Sequence, residues 1–191
     1  RGLIGELCQA VMEELDCQVF FNFLVAADGP RLHLHAYSPM EVLHMSRHSH
    51  VEVKEAIREL RQSGLGSMPG TAAEILVDSV RQKICPDKLK AEEWRQIITA
   101  AHLLGIPTTS TMLFGHVEQL EDRLRHLQIL KEIQSKTGGF TEMVLLPFIP
   151  DNNMLGKIAK GADLLDRLKM HALARIALFP NITNIQASWT K

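Results

Sequence analysis

The sequence predicts a parallel α/β fold of the barrel type, on three observations. A helix-like segment, a glycine and a strand-like segment follow one another three times, with the glycines at Gly64, Gly105 and Gly138. Repeated βα units of this length pair their strands in parallel. In the last strand-like stretch Asn184, Gln186 and Ser188 share one face, opposite Ile185, Ala187 and Trp189. A doubly wound sheet covers both faces with helices, whereas a barrel strand can turn a polar face into a ligand-holding lumen.

The elements are read in order. Leu3, Ile4, Leu7, Val11 and Leu15 repeat at the helical period, so a helix is expected over Arg1 to Leu15. The apolar run Cys17 to Ala27, closed by Asp28-Gly29-Pro30, reads either as a buried strand or as an insertion. From Arg31 to Tyr37, Leu32, Leu34 and Ala36 alternate with His33, His35 and Tyr37, the period of a strand. Ser38 then caps a helix with Pro39 at its first position and Glu41 in its first turn. That helix is expected over Met40 to Gln62, with a break near Ser46 to His50, and Gly64 ends it.

Leu65 opens a very short strand and a Gly/Pro turn. A helix is expected next, capped by Thr71 with Glu74 as its third residue, the capping-box spacing. Trp94, Ile97, Ile98 and Ala101 mark the inner face of a helix over Ala91 to Leu104, closed by Gly105. A strand then runs to Gly115 and enters a helix expected to hold Glu118 in its first turn. Leu120, Leu124, Leu127, Leu130 and Ile133 are its expected inner face, and Gly138-Gly139 ends it. A strand over Thr141 to Pro150, a helix over Ala162 to Phe179 and a strand over Ile182 to Trp189 complete the chain.

Bulk properties remove several function classes. The chain has 191 residues, enough for one domain with a sizeable core, and a net charge of −1. No basic stripe with interleaved aromatics suggests a nucleic-acid partner. No apolar run reaches the ~18 residues of a membrane span. Three cysteines, Cys8, Cys17 and Cys85, form no close cluster, which fits the cytoplasm or another reducing compartment and excludes a thiolate metal site built from these residues alone. The first residue is Arg1, in helix-like sequence without a targeting pattern, and a piece of a longer protein is expected.

Candidate residues collect where strands end, because loops after the C-terminal ends of parallel strands are the usual ligand sites. Gly115 would let a backbone approach a flat ligand, and Glu118 suits either the helix dipole or that ligand. His33, His35 and Tyr37 share a strand face. The two histidines could ligate a metal only with a third ligand from elsewhere; otherwise they are hydrogen-bonded or touch substrate. His44 and His48 stand at i, i+4 with His50 near, but the glutamate of a zinc motif is missing and a solvated cluster is expected. The turn Ser67-Met-Pro-Gly70 acts at the site if it faces the lumen.

Thr111-x-Leu113-x-Gly115-x-x-Glu118 resembles the G-x-I-x-G-x-x-E motif of the radical S-adenosylmethionine (SAM) superfamily, with Thr111 and Leu113 replacing the first Gly and the Ile. Further segments extend the resemblance from Leu32 onward: His33-Leu-His-Ala-Tyr-Ser-Pro-Met-Glu41, Gly64 to Leu76, Cys85-Pro-Asp-Lys88, Thr137 to Glu142 and Asn184 to Trp189. Together they are similar to the second subunit or domain of the FO synthase family. The resemblance implies the C-terminal part of a partial TIM-type barrel, with residues 1–30 divergent and residues 31–191 family-like. It implies transfer of the 4-hydroxybenzyl group of tyrosine to 5-amino-6-(D-ribitylamino)uracil, with SAM and a [4Fe-4S] cluster as cofactors. The other FO synthase half, fused or separate, is the implied partner.

By the same resemblance Thr111, Leu113, Gly115, His116 and Glu118 would line SAM. His35, Tyr37, Glu41, Ser67, Pro69, Gly70, Thr71, Asn184, Gln186 and Ser188 would face SAM or substrate. The superfamily's Cys-x-x-x-Cys-x-x-Cys loop does not occur in this sequence. The cluster cysteines are therefore expected upstream of Arg1, and the chain by itself is expected to be inactive. A futalosine-pathway radical SAM enzyme and a non-catalytic, barrel-derived binding module are the competing readings.

Overall fold

A computed structural model describes residues 33–188. The helix expected at residues 1–15, the run at 17–27, Cys8, Cys17 and Trp189 lie outside the described residues. In chain order the elements are β1 (Leu34–His35), α1 (Pro39–Ser49), α2 (Val53–Gln62), β2 (Leu65–Ser67), α3 (Asp78–Ile84), α4 (Ala91–Leu103), β3 (Thr108–Phe114), α5 (Leu120–Thr137), β4 (Phe140–Pro147), α6 (Leu164–Leu178) and β5 (Ile185–Ala187). A 3-10 turn at Leu155–Lys157 precedes α6.

Every strand pairing is parallel: β1 with β2, and β3 with β4 with β5. One bridge joins the two sheets. Met68 stands opposite Thr108, its N–H donating to the Pro107 carbonyl at 3.0 Å and its carbonyl accepting from Thr109 N–H at 3.1 Å. Strand order therefore follows chain order, and right-handed crossovers in that order place the helices on one side. The helices pack on each other in sequence, α1 on α2 and α4, α4 on α5, α5 on α6. The α/β class with parallel βα units is as expected; the described strands do not close into a barrel.

The core lies between strands and helices. Met112 and Phe114 of β3 and Met143 and Leu145 of β4 meet Trp94, Ile97 and Ile98 of α4 and Leu127, Leu130 and Ile133 of α5, all buried. Trp94 stacks near Phe140 with ring centres 6.4 Å apart. Alternate strand positions turn to the opposite, open face. Thr109, Thr111 and Leu113 of β3, Glu142 and Val144 of β4, and Gln186 of β5 occupy it.

Local chemistry explains most element boundaries. Ser38 Oγ accepts from Glu41 N–H at 3.3 Å and Glu41 Oε2 accepts from Ser38 N–H at 2.7 Å, closing the expected capping box ahead of Pro39. The break foreseen near Ser46 to His50 separates α1 from α2, with His50 at φ 54° and Ser46 Oγ donating to the Val51 carbonyl at 2.6 Å. Gly138 ends α5 in the left-handed conformation at φ 66°.

Three expectations are corrected. Thr71 caps no helix: Ala72 and Glu74 adopt φ 59° and 42°, which no helix accommodates, and α3 starts only at Asp78. Glu118 is not in the first turn of α5, which begins at Leu120 behind a box formed by Gln119 and Asp122. Leu120 and Leu124 are exposed; Arg123 takes the inward position in that turn, its guanidinium carbon 5.4 Å from the centre of the Phe114 ring.

Two buried histidines make stability depend on pH. His102 lies 2.7 Å from Thr137 Oγ1 and 2.9 Å from Thr108 Oγ1, and burial lowers its pKa to about 4. His126 Nδ1 accepts from Leu76 N–H at 3.1 Å, and its pKa falls to about 3, first through burial, with Arg81 adding to the lowering. Both folded values lie below the unfolded 6.5, so the unfolded chain takes up the protons first as pH falls. The stability these neutral rings carry is complete above pH 6.5 and declines towards their folded pKa values. Thermal unfolding should show a loss of about 2 kcal/mol per histidine between pH 6.5 and about pH 5. A His126→Leu chain should show a shallower slope over that window; an unchanged slope would remove His126 from this account.

Candidate functional site

The parallel strands aim their C-terminal ends the same way, and the loops that follow carry the sequence-predicted residues. On β1 and β2, Ser67 Oγ sits 2.7 Å from His33 Nε2 and 2.6 Å from His35 Nδ1. Burial, then His33, lowers the pKa of half-buried His35, so its ring stays neutral at neutral pH. Tyr37 is half-buried at φ 64°. Glu41 is exposed, and its contacts are those of the α1 cap.

The turn after β2 lies directly on the open face of β3. Gly70 N–H donates to Thr109 Oγ1 at 2.9 Å, and Thr111 Oγ1 donates to the Gly70 carbonyl at 2.9 Å. A Cβ on Gly70 would come within 2.0 Å of the Thr109 carbonyl oxygen, so only glycine allows this approach. Pro69 and Thr71 flank that contact. Trp94 Nε1 donates to the Thr71 carbonyl at 3.0 Å, tying the turn to α4. Thr111, where the superfamily motif has glycine, thus positions the turn.

The loop after β3 is held by its own carboxylate. Glu118, whose side chain is fully buried, accepts from Gly115 N–H at 2.6 Å, His116 N–H at 2.8 Å and Arg123 Nε at 2.8 Å. Burial alone would raise the Glu118 pKa. The His116 side chain and the Gly115 N–H outweigh burial and bring it down to about 2. His116 Nε2 lies 3.1 Å from the Leu113 carbonyl and its ring is buried. Arg123 also grips Asp166 of α6 through two bonds, at 2.7 and 3.1 Å. Gly115, at φ 87°, makes room for the chain at Ala162, whose N and Cβ lie within 2.8 Å of where a Cβ would stand.

On β5 and its approach, Gln186 donates to Glu142 on the open face, and Asn184 Nδ2 donates to the Thr141 carbonyl at 3.1 Å. Ser188 is half-buried just beyond β5. The open face thus gathers His33, His35, Ser67, Thr109, Thr111 and Gln186. Glu118, His116 and Gly115 are instead spent on shaping the loop beside it.

Two cavities lie elsewhere. One of about 540 Å³ opens between α1, α3 and α4 around Arg81, Cys85, Asp87 and Lys88; another of about 350 Å³ sits between α4 and α5. Neither touches the strand ends, and in the first Lys88 is paired with Glu74 at 2.5 Å and Arg47 with Glu93 at 2.7 Å. Chemistry favours the open face, whose polar groups converge on one surface. Among the described residues no three His, Cys, Asp or Glu side chains are grouped to hold a metal, and Cys85 is the one described cysteine. His44 and His48 stack with ring centres 6.1 Å apart, as a surface cluster without a third ligand.

Sequence reasoning missed Arg81, His126 and the Arg123–Asp166 pair. Arg81 is 3% exposed and donates to the carbonyls of Ala72, Ala73, Ile75 and Leu89. Its sequence signal is an arginine next to Val80 in the short helix that follows the apolar Ile75-Leu-Val77. Arg123 and Asp166 are 43 residues apart and carry no local signal.

Fold and site define a singly ordered, parallel βα protein whose strand ends present a polar face with two histidines and a serine. No protein-family model matches the chain. Individual proteins do, closely. Over 97% of its length the chain is 50% identical to a 5-amino-6-(D-ribitylamino)uracil–L-tyrosine 4-hydroxyphenyl transferase of Archaeoglobus fulgidus, covering 55% of that protein. It is 52% identical over 87% of its length to one of Methanosarcina acetivorans, covering 46%, and 48% identical over 90% to one of Methanothermobacter thermautotrophicus, covering 48%. The chain is thus a homologue of these transferases and spans about half the length of the curated relatives it matches. No helix among the described residues is long and apolar enough to cross a membrane.

Proposed function

We propose that this chain is the substrate-facing portion of a radical SAM transferase that joins the 4-hydroxybenzyl group of tyrosine to 5-amino-6-(D-ribitylamino)uracil in deazaflavin (FO) biosynthesis. The observation that carries the reading is identity near 50% to transferases of that name along nearly the whole chain. Strand order β1 to β5 with helices on one side is the arrangement of an arc of a TIM-type barrel, and the reading treats residues 1–191 as one such incomplete domain.

The open face fits SAM and a polar heterocycle better than an apolar ligand. Leu113, half-exposed at the end of β3, offers an apolar seat beside the backbone of the Gly115 loop. The reachable ring edges of His33 and His35 and the exposed Gln186 offer hydrogen bonds. Gly115, His116 and Glu118 then act towards SAM through the loop they hold, since their own side-chain chemistry is already committed. The iron–sulfur cluster does not fit the residues described: thiolates hold such clusters, and a single half-buried cysteine is present. In this reading the cluster's cysteines lie in the part of the transferase that this chain does not span.

Calorimetric titration of the chain with SAM, and separately with 5-amino-6-(D-ribitylamino)uracil, tests this. Saturable binding of either, weakened at least about tenfold by Gly70→Val because the turn can no longer rest on β3, is expected. Absence of binding by both ligands would reject the open face as the site.

A further inference from the structure

We propose that His33, Ser67 and His35 form a proton relay on the open face that takes a proton from an N–H group of an aminopyrimidine substrate. The inference rests on the transferase reading and assigns that site a Brønsted task.

The geometry links three groups in one hydrogen-bonded chain. Ser67 Oγ lies 2.7 Å from one imidazole nitrogen and 2.6 Å from another. A hydroxyl has one proton, so it donates to one ring and accepts an N–H from the other. Because the contacts run through Nε2 of His33 and Nδ1 of His35, both rings must hold the same tautomer, Nδ1–H when the hydroxyl donates to His33, and a proton entering one end displaces a proton at the other. The arrangement is built into the strands. His33 and His35 alternate onto the same face of β1, and β2 presents Ser67 opposite His35. Gly66 clears the space for the first ring, since a Cβ there would stand 2.5 Å from His33 Cε1. Ser67 is 9% exposed while both rings are half-buried, so the hydroxyl is shielded and the ring edges are reachable.

The bare metal reading of the same histidines lacks its third ligand among the described residues. A proton task suits them better. An aminouracil carries exocyclic N–H groups, and attaching carbon to its ring makes those groups more acidic. The N–H bond breaks, its electron pair stays on nitrogen, and the proton bonds to His35 Nε2. The proton on His35 Nδ1 then passes to Ser67 Oγ, and the serine's own proton passes to His33 Nε2. One positive charge ends on His33, at the far end from the substrate. Burial keeps His35 neutral and ready to accept.

Two measurements test it. In the chain itself, imidazole nitrogen NMR should show both rings locked in the Nδ1–H tautomer, and Ser67→Ala should release both into tautomer mixtures. In the reconstituted holoenzyme supplied with tyrosine and 5-amino-6-(D-ribitylamino)uracil, Ser67→Ala should lower kcat about a hundredfold with KM changed less than about twofold, and Ser67→Thr should restore most of it. Averaged tautomers in the unaltered chain, or full turnover by Ser67→Ala, would overturn the relay. A wild-type holoenzyme that makes no transfer product would overturn the transferase reading itself, and the relay's catalytic task with it.

Discussion

Arg81→Met is expected to lower the free energy of unfolding by about 4 kcal/mol, because several buried carbonyls lose their donor at once. The guanidinium donates through Nε to the Leu89 carbonyl at 3.1 Å and through Nη2 to Leu89 at 2.5 Å and Ala72 at 3.2 Å. Nη1 reaches the carbonyls of Ala73 and Ile75. Residues Ala72 to Ile75 are not helical and not paired as a strand, so their carbonyls have no repeating ladder to satisfy them. An unpaired buried acceptor costs about 1–3 kcal/mol. Met fills the volume and restores none of the bonds. Arg81→Lys is expected to recover less than half the loss, since three donors on one nitrogen cannot span the fork of a guanidinium.

Chemical denaturation of the three proteins gives the magnitudes. Amide exchange separates a local from a global effect: the amides of Leu76 and Leu113, which bond His126 and Glu74, should lose protection first in Arg81→Met. Uniform loss across the chain would mean that Arg81 supports the core at large rather than this loop. The functional consequence follows from position. The loop runs on from the Gly70 turn, so releasing it loosens the floor on which a substrate would rest.

These residues also show which features could be read from the chain and which could not. Local chemistry was legible. Ser38-Pro39 with Glu41, the helix-ending glycines Gly105 and Gly138, and the inner face Trp94, Ile97, Ile98 and Ala101 all stand as the spacing suggested. The polar alternation at Asn184 and Gln186 was legible for the same reason: a strand of period two displays its faces in the sequence. Thr71-x-x-Glu74 failed because a distant arginine competes for the same carbonyls. With Arg81 collecting them, the segment takes left-handed φ values that its capping-box spacing does not anticipate. Glu118 was legible as important but not in its role. A carboxylate three residues after Gly115 reads as a helix N-terminus; here it folds back on the Gly115 and His116 amides before the helix begins.

Arg123→Met is expected to cost about 3 kcal/mol, the low end for removing one partner of a buried ion pair, because the guanidinium is partly solvated. Glu118 would then keep the Gly115 and His116 amides but lose its Nε donor at 2.8 Å, leaving a buried charge under-compensated. The bidentate hold on Asp166 would go too, and with it a link from the β3–α5 loop to α6. Asp166→Asn removes only the half-exposed arm and should cost about 1 kcal/mol. Pairing Glu118→Gln with Arg123→Met should cost less than the sum of the singles, because the second change finds the ion pair already broken. Acid sharpens the test. The folded Glu118 pKa, about 2, lies below the unfolded 4.5, so its contribution is present above pH 4.5 and is lost as pH falls towards 2. Removing Arg123 takes away a nearby positive charge and raises the folded value, so the acid limb of Arg123→Met should begin at higher pH than that of the parent chain. An acid limb unmoved by the substitution would show that the backbone amides and His116 suffice. The loop beside the open face would then owe its shape to Glu118 alone.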